Sequence, residues 1–329
     1  MGPVRRPLNV RRQVEGTISI MKYDPSIPLE FYERLAEGEW TRLTANRMGQ
    51  LLFHNHLDVI RTHIKATDSV LELGAGAGRF TKELVPLCGS LVTSDLSPVQ
   101  LEINRQKMDE LGLSTRISGF RILDITDLST VSRASFDAVV CTGGALNYAH
   151  DREKRAIQEI LGVTKPGGMI ILGVMSLIGV VLRYAKVLRS EKEKFGLEAM
   201  RWVLDTGIQD PDHYPVEDKN YVHMMRAQEV DELFHDEPVE IIERRAAGLL
   251  AVAGEEALND AAEDEELWQL LLEKELEFSK NPAVLDCGLN LIYVLRRKDH
   301  DVQSPGVKQK GLWLRPPAAA FDPTGHEAM

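Results

Sequence analysis

The chain has 329 residues, 43% of them hydrophobic, with a formal net charge of −11 and three cysteines. This length is enough for one large domain with insertions, or for a domain and a small lid. The acidic balance argues against a large nucleic-acid-binding surface, which needs basic side chains. The widely spaced cysteines argue against a disulfide framework or a zinc site. We therefore expect a protein of the reducing cytoplasm with neither a nucleic-acid partner nor a bound metal.

The first part of the chain predicts a tail followed by helices. Residues 1–25 are basic and we expect them to be disordered; whether they form a targeting signal stays open. They lack the apolar core of a secretory signal, and the longest apolar run, residues 169–182, is too short to span a membrane. Residues 26–66 predict helices that cap the core, because five apolar side chains fall near one helical face. These are Met48, Leu52, Val59, Ile60 and Ile64.

A glycine-rich turn follows the first predicted strand, in the stretch VLELGAGAGRF. Its glycines, Gly74, Gly76 and Gly78, permit positive φ and a close approach of a ligand to the backbone. Such a turn between a strand and a helix is a common nucleotide-binding site. A dinucleotide-binding turn would need glycine at the position of Arg79, and no phosphate-loop lysine follows. The turn therefore matches neither of these two motifs. It consists of an acidic residue, Glu72, followed by three glycines at alternate positions.

The second predicted strand ends at Asp95, whose carboxylate is suited to bind both hydroxyls of a ribose. NAD-binding proteins bind the ribose of their cofactor with a carboxylate in the same position. Asp95 alone therefore does not distinguish an NAD site from a site for another ligand that contains ribose. Ser97 then predicts the N-cap of a helix, with Pro98 in its first turn and Gln100 completing a capping box. We expect this helix to stop at Gly112.

Three more predicted strands follow, each next to a short polar or glycine-containing motif. The third, residues 117–123, leads into Asp124 and Ile125. The fourth begins with the sequence FDAVV and ends at Cys141, before a loop that contains two glycines. The sequence KPGG then precedes a fifth, apolar strand.

Together, these motifs resemble those of the class I S-adenosylmethionine (SAM)-dependent methyltransferases. Their layout is most similar to that of the small-molecule enzymes of ubiquinone and menaquinone biosynthesis. The resemblance implies an α/β fold: a Rossmann-like, seven-stranded, mostly parallel sheet with N-terminal helices and an inserted helical lid. It also implies SAM as the co-substrate, without a metal. The residues it assigns to SAM are Glu72, Gly74, Gly76, Gly78, Asp95, Leu96, Asp124, Ile125 and Cys141.

The resemblance gives three of these residues separate roles. Glu72 is expected to interact, directly or through water, with the ammonium of SAM, Asp95 with the ribose, and Asp124 with the adenine amino group. The methyltransferase domain is expected to cover residues 67–298, and residues 299–329 to form a disordered tail.

An insertion at about residues 177–225 separates the fifth strand from the next core helix. It begins amphipathic and basic, and then becomes rich in aromatic residues. Ligands of open α/β sheets bind at the carboxyl ends of the strands, which favours a substrate lid. A structural appendage or an oligomer contact is the alternative, and the oligomeric state stays open.

Methyl transfer mainly requires proximity and orientation, but a neutral acceptor also needs a base. Histidine has a suitable pKa, and no spacing selects among the candidates. These are His54, His56, His150, His213 and His223. The candidates for contact with the acceptor are Asn147 and Tyr148, after the fourth strand, and Tyr214 in the insertion.

The predicted function is in-line transfer of a methyl group from SAM to an O, N or C atom of a small organic acceptor, with release of S-adenosylhomocysteine (SAH). A non-catalytic SAM-binding scaffold protein is one alternative. A nicotinamide-dependent oxidoreductase is the other, and Arg79 argues against it.

Overall fold

The structure is a computed structural model and describes residues 21–215 and 221–299. In chain order, its strands are β1 (Ser69–Leu73), β2 (Ser90–Asp95), β3 (Ile117–Ile122), β4 (Phe136–Cys141), β5 (Thr164–Met175), β6 (Ile208–Gln209), β7 (Val222–His223), β8 (Val239–Ala247) and β9 (Asn290–Arg297). Its α-helices are α1 (Ser26–Leu35), α2 (Gly38–Arg42), α3 (Arg47–His63), α4 (Thr81–Leu84), α5 (Pro98–Glu110), α6 (Glu153–Val163), α7 (Leu177–Arg183), α8 (Leu188–Thr206), α9 (Ala227–Leu233), α10 (Glu255–Ala261) and α11 (Glu265–Ser279).

Seven strands form one sheet in the order β3-β2-β1-β4-β5-β9-β8. Strands β1 to β5 run parallel, and β9 pairs antiparallel with both β5 and β8. This confirms the predicted α/β fold with a mostly parallel, seven-stranded sheet. The strand order reverses between β1 and β4, and at such a point the carboxyl ends of the strands border a crevice suited to a ligand.

Side chains at alternate positions of each central strand pack into two different hydrophobic cores, because successive residues of a strand point to opposite faces of the sheet. Leu71 and Leu73 of β1 join a cluster with side chains of α6 and α9. Val70 of the same strand joins a second cluster, which contains Val59 and Ile60 of α3 and Leu84 of α4. Glu72 shares the strand face of Val70, so its side chain is directed toward α4 rather than along the strand.

The helix after β2 begins as predicted. Ser97 is its N-cap and accepts a hydrogen bond from the backbone N–H of Gln100, with Pro98 in the first turn. The helix ends at Glu110, and Gly112 follows in the left-handed region with φ 69°. The predicted capping box is wrong, because the Gln100 side chain donates instead to the carbonyl oxygens of the N-terminal segment.

The predicted insertion between β5 and α9 contains α7, α8 and a two-stranded antiparallel pair, β6 and β7. Between β8 and β9 the chain forms two helices, α10 and α11. Within the described ranges, none of the helices combines the length and the apolar character needed to cross a membrane.

Candidate functional site

A pocket with an empty space of about 730 Å³, partly open to solvent, lies at the carboxyl ends of β1, β2 and β4. The N-terminal segment and helices α1 and α2 contribute to its wall through Tyr23, Tyr32 and Glu39. Seven of the residues predicted to bind SAM or the acceptor line it together: Gly74, Gly76, Asp95, Leu96, Asp124, Ile125 and Tyr148.

Asp95 links the glycine turn to the start of α5. Its Oδ2 accepts a hydrogen bond from Gly76 N at 2.7 Å, and its Oδ1 accepts one from Ser97 N at 2.8 Å. Burial raises the pKa of the Asp95 carboxyl, and these backbone donors partly oppose that shift. Each carboxylate oxygen has a second lone pair, so the group retains capacity to accept hydroxyl groups from a ligand.

Asp124 also lines the pocket. Its Oδ1 accepts a hydrogen bond from Thr126 N at 2.8 Å, and its Oδ2 accepts one from the hydroxyl of Tyr23 at 2.7 Å. Burial raises the pKa of Tyr23, and the hydrogen bond to Asp124 raises it further, so this phenol is a donor at neutral pH. Tyr23 belongs to residues 1–25, which we expected to be disordered; its partner is about a hundred residues away along the chain, so that no local pattern marks the contact.

Helices α1 and α2 are tied to the pocket wall by polar contacts. Gln100 Nε2 donates to the carbonyl oxygens of Tyr32, at 2.7 Å, and Ala36, at 3.1 Å. The hydroxyl of Tyr32 donates to that of Tyr148 at 2.9 Å. Glu39 lies against the glycine turn, since a Cβ at Gly76 would be 3.3 Å from its Cγ. The N-terminal helices therefore close one side of the pocket.

Comparison with known proteins agrees with this geometry. A family described as a methyltransferase domain matches residues 70–168. Nodulation protein S of Sinorhizobium fredii is 30% identical over 145 residues, which are 43% of this chain and 62% of the relative. The ubiquinone/menaquinone biosynthesis C-methyltransferase UbiE of Pseudomonas paraeruginosa is 30% identical over 112 residues, 33% of this chain and 42% of the relative. The chain carries a class I SAM-dependent methyltransferase domain.

The chain spans less than two thirds of the length of these two curated relatives. Among solved structures, the [4+2]-cyclase SpnF has a TM-score of 0.50 and 16% sequence identity, and the match covers 85% of this chain and 98% of that chain. At this identity the likeness concerns the fold alone, and the cyclase shows that the fold carries more than one chemistry.

Two predicted SAM-binding residues of the methyltransferase domain lie behind the pocket wall. Gly78 faces Asn104, and its φ of 94° places it in a region that disfavours other residues. Cys141 is fully buried in the core between the sheet and α6. Burial raises the pKa of its thiol to about 12, so it is a neutral core side chain rather than a nucleophile.

Glu72 also lies behind the glycine turn instead of lining the pocket. Its Oε2 accepts hydrogen bonds from the hydroxyls of Thr81, at 2.6 Å, and Thr93, at 2.9 Å. Successive residues of a strand point to opposite faces of the sheet, and Glu72 points to the face covered by α4. Its side chain therefore does not enter the pocket, although it is close to the glycines in sequence. Burial raises the pKa of the Glu72 carboxyl to about 7, against the two hydroxyl hydrogen bonds that lower it.

Replacing Glu72 with Gln is expected to remove part of the pH dependence of stability. The folded pKa lies above the ordinary value of 4.5, so the folded state holds the proton more tightly and loses stability as the pH rises from about 4.5 to about 7. Urea unfolding of the ligand-free protein measures this. When the pH is raised from about 5 to about 8, the unfolding free energy of the Gln variant should rise relative to that of wild type by on the order of 1 kcal/mol. Glu102→Gln, on the exposed face of α5, is the control. An equal gain in the control, or none for Glu72→Gln, would contradict the assignment.

Of the residues predicted to contact the acceptor, only Tyr148 lines the pocket. Asn147 is fully buried, and its Nδ2 donates to His223 O at 2.6 Å while its Oδ1 accepts from Met175 N at 3.0 Å. This amide joins β7 to the end of β5. Tyr214 lies within the insertion, where its ring packs on Phe195 and its hydroxyl donates to Glu191.

None of the five histidines lines the pocket. Burial lowers the pKa of His54 and His150, and lowers that of His56 to about 4. His213 lies on the ring of Trp202. Burial opposes the charged form of His223, but Glu153, 2.5 Å from its Nδ1, raises its pKa.

One ring nitrogen of each of the two most buried histidines is bonded within the fold. His56 Nδ1 bonds to Leu52 O at 2.8 Å, and His150 Nδ1 to Lys22 O at 3.0 Å. In the part of the chain that the structure describes, no group of three or more His, Cys, Asp or Glu side chains is arranged to hold a metal ion.

Proposed function

We propose that the protein transfers a methyl group from SAM to an O, N or C atom of a small organic acceptor and releases SAH. The observation that carries the proposal is the pocket, in which two glycines of the motif and the carboxylates Asp95 and Asp124 meet at the reversal of strand order. A bare glycine backbone and two carboxylates in one pocket suit a ligand that has a ribose, an amino-bearing base and no phosphate.

The residues of the pocket have distinct tasks in this proposal. Asp95 accepts the ribose hydroxyls, Asp124 accepts the amino group of the adenine, and Ile125 packs against the ring. When bound, SAM supplies a methyl group already activated on sulfur. The chain therefore has to bring the acceptor atom into line and keep out water, the task of α1 and α2 above the pocket.

The acceptor is expected to reach the pocket at Tyr148. This residue follows β4, and its hydroxyl accepts a hydrogen bond from Tyr32 of α1 at 2.9 Å. Two phenol groups provide a donor and an acceptor beside apolar surface, which suits a small organic molecule. The name of the relative UbiE, a C-methyltransferase of ubiquinone and menaquinone biosynthesis, supports this class of acceptor.

Calorimetry with purified protein should show binding of SAM and SAH, and no binding of NAD or NADP under the same conditions. Adenosine, which shares the ribose and base but lacks the methionine part, should bind more weakly and serves as the control ligand. Binding of NAD with no binding of SAM would reverse the assignment. SAM binding without formation of SAH from any of a panel of phenols, enols and amines would favour a non-catalytic binding protein.

A further inference from the structure

A short basic and apolar segment stands out on the surface of this acidic chain. Residues 183–192 read RYAKVLRSEK, with four basic and one acidic side chain, whereas the whole chain has a net charge of −11. The acidic one, Glu191, is bonded to the hydroxyl of Tyr214. The segment includes the end of α7 and the start of α8.

Apolar side chains are exposed along the same stretch. Fractional exposure is 38% for Ile178, 44% for Leu182, 47% for Tyr184 and 40% for Val187. The four fall within ten consecutive residues; Ile178 and Leu182 lie one turn apart on α7, and Tyr184 and Val187 follow at its C-terminal end. We call them, together with Arg183, Lys186, Arg189 and Lys192, the α7–α8 surface.

Two of the four cations of the α7–α8 surface are engaged and two are not: Arg183 Nε donates to Met48 Sδ at 3.2 Å. Lys186 and Lys192 are exposed and form no salt bridge with any residue within 21–215 and 221–299. Arg189 pairs with Glu193 across the exposed face of α8 at 3.0 Å, with 91% of its side chain accessible. Apolar side chains beside unpaired cations are the pattern of segments that lie in the interface of an anionic membrane.

The buried side of α7 leads to the pocket. Leu177 packs with Val222 and Met224, and Tyr148 and Met175 pack against this cluster. Tyr148 also lines the pocket. One short helix therefore separates the α7–α8 surface from the acceptor side of the site.

We propose that the α7–α8 surface docks on an anionic lipid surface and that the acceptor is an apolar or amphiphilic molecule that reaches Tyr148 from there. The docking stands independently of the proposed function, whereas the route of the acceptor rests on it. The basic side chains bind lipid phosphates, and the four apolar side chains enter the boundary between headgroups and acyl chains. A second copy of the chain would repeat the same positive charge across the contact, which disfavours it as the occupant.

Co-sedimentation with vesicles tests the docking. Wild type should bind phosphatidylcholine vesicles that contain about 30 mol % phosphatidylglycerol at least several-fold better than pure phosphatidylcholine vesicles, and raised salt should weaken the binding. Lys186→Glu/Lys192→Glu should reduce binding roughly tenfold or more. Leu182→Ser/Val187→Ser should also reduce it, since the apolar contact is lost.

Lys65→Glu/Lys280→Glu is the matched control, because both lysines are exposed outside the α7–α8 surface and the change in net charge is identical. It should bind the anionic vesicles like wild type. An equal loss in the control, or equal binding of wild type to both kinds of vesicle, overturns the docking. So does ultracentrifugation that finds a dimer which Leu182→Ser/Val187→Ser dissociates.

SAM calorimetry on the same samples separates the two proposals. Variants that bind SAM like wild type are folded, so their loss of vesicle binding is due to the surface. A wild type that binds anionic vesicles but not SAM would leave the docking in place and end the proposed function. With both intact, acceptors presented in anionic vesicles should be methylated several-fold faster by wild type than by Lys186→Glu/Lys192→Glu.

Discussion

Replacement of Asp95 with Ala is expected to weaken SAM binding by roughly 1–3 kcal/mol, about 5- to 150-fold. The carboxylate would contribute charge-assisted hydrogen bonds to the ribose in a partly enclosed site, where such bonds are strong. It also holds Gly76 N at 2.7 Å and Ser97 N at 2.8 Å, so its loss loosens the turn on which the ligand lies. Both effects act in the same direction.

Calorimetry with SAM measures this loss, and thermal unfolding without ligand measures the part that comes from the turn itself. Asp264→Ala is the matched control, because Asp264 also accepts a backbone hydrogen bond, from Leu267 N at 3.1 Å, but caps α11 outside the pocket. Asp95→Asn keeps the shape and should fall between wild type and Ala. Unchanged SAM affinity in Asp95→Ala would remove this residue from the site.

The sequence was sufficient for the five parallel strands and for those of their ends that border the pocket, but not for β6 and β7. Short apolar runs followed by polar or glycine residues identify the parallel strands, and the family resemblance assigns Asp95 and Asp124 to one ligand, in agreement with the pocket that both line. These features depend on residues close together in the chain. Contacts over long separations left no such signal: Tyr23 with Asp124, and Gln100 with Tyr32 and Ala36.

Local spacing also misled where two roles compete for one side chain. Asn147 lies shortly after β4, where an acceptor-binding residue was expected, yet its amide connects β7 and β5. Gln100 stands at the third position of α5, as a capping residue should, yet it binds the N-terminal segment instead. In both cases a distant part of the chain offers carbonyl oxygens to the side-chain amide N–H groups, which favours these bonds over the local role.

Gly78→Ala is expected to lower the free energy of unfolding by roughly 2–4 kcal/mol. The residue has a φ of 94°, and a Cβ there would lie 2.4 Å from Asn104 Oδ1. Asn104 has little room to give way, because it is fully buried and its Nδ2 donates to the hydroxyl of Thr81 at 2.9 Å. Thr81 in turn donates to Glu72 at 2.6 Å, so the strain spreads into the polar contacts beneath the glycine turn. Urea unfolding of the ligand-free protein measures the change.

Gly167→Ala separates the two sources of this cost. Gly167 has a similar positive φ of 75°, but a Cβ there would meet nothing within 4 Å. It should therefore lose only the conformational part, roughly 1–2 kcal/mol. The additional loss of unfolding free energy at Gly78 should decrease when Asn104 is also replaced by Ala, because the double variant lacks the colliding amide. A double-mutant cycle measures this coupling directly. Two results would contradict this account: equal losses of unfolding free energy in the two glycine variants, or additive effects of Gly78→Ala and Asn104→Ala. Either would show that Gly78 is required for its backbone conformation alone and not for the close approach of α5 to the turn.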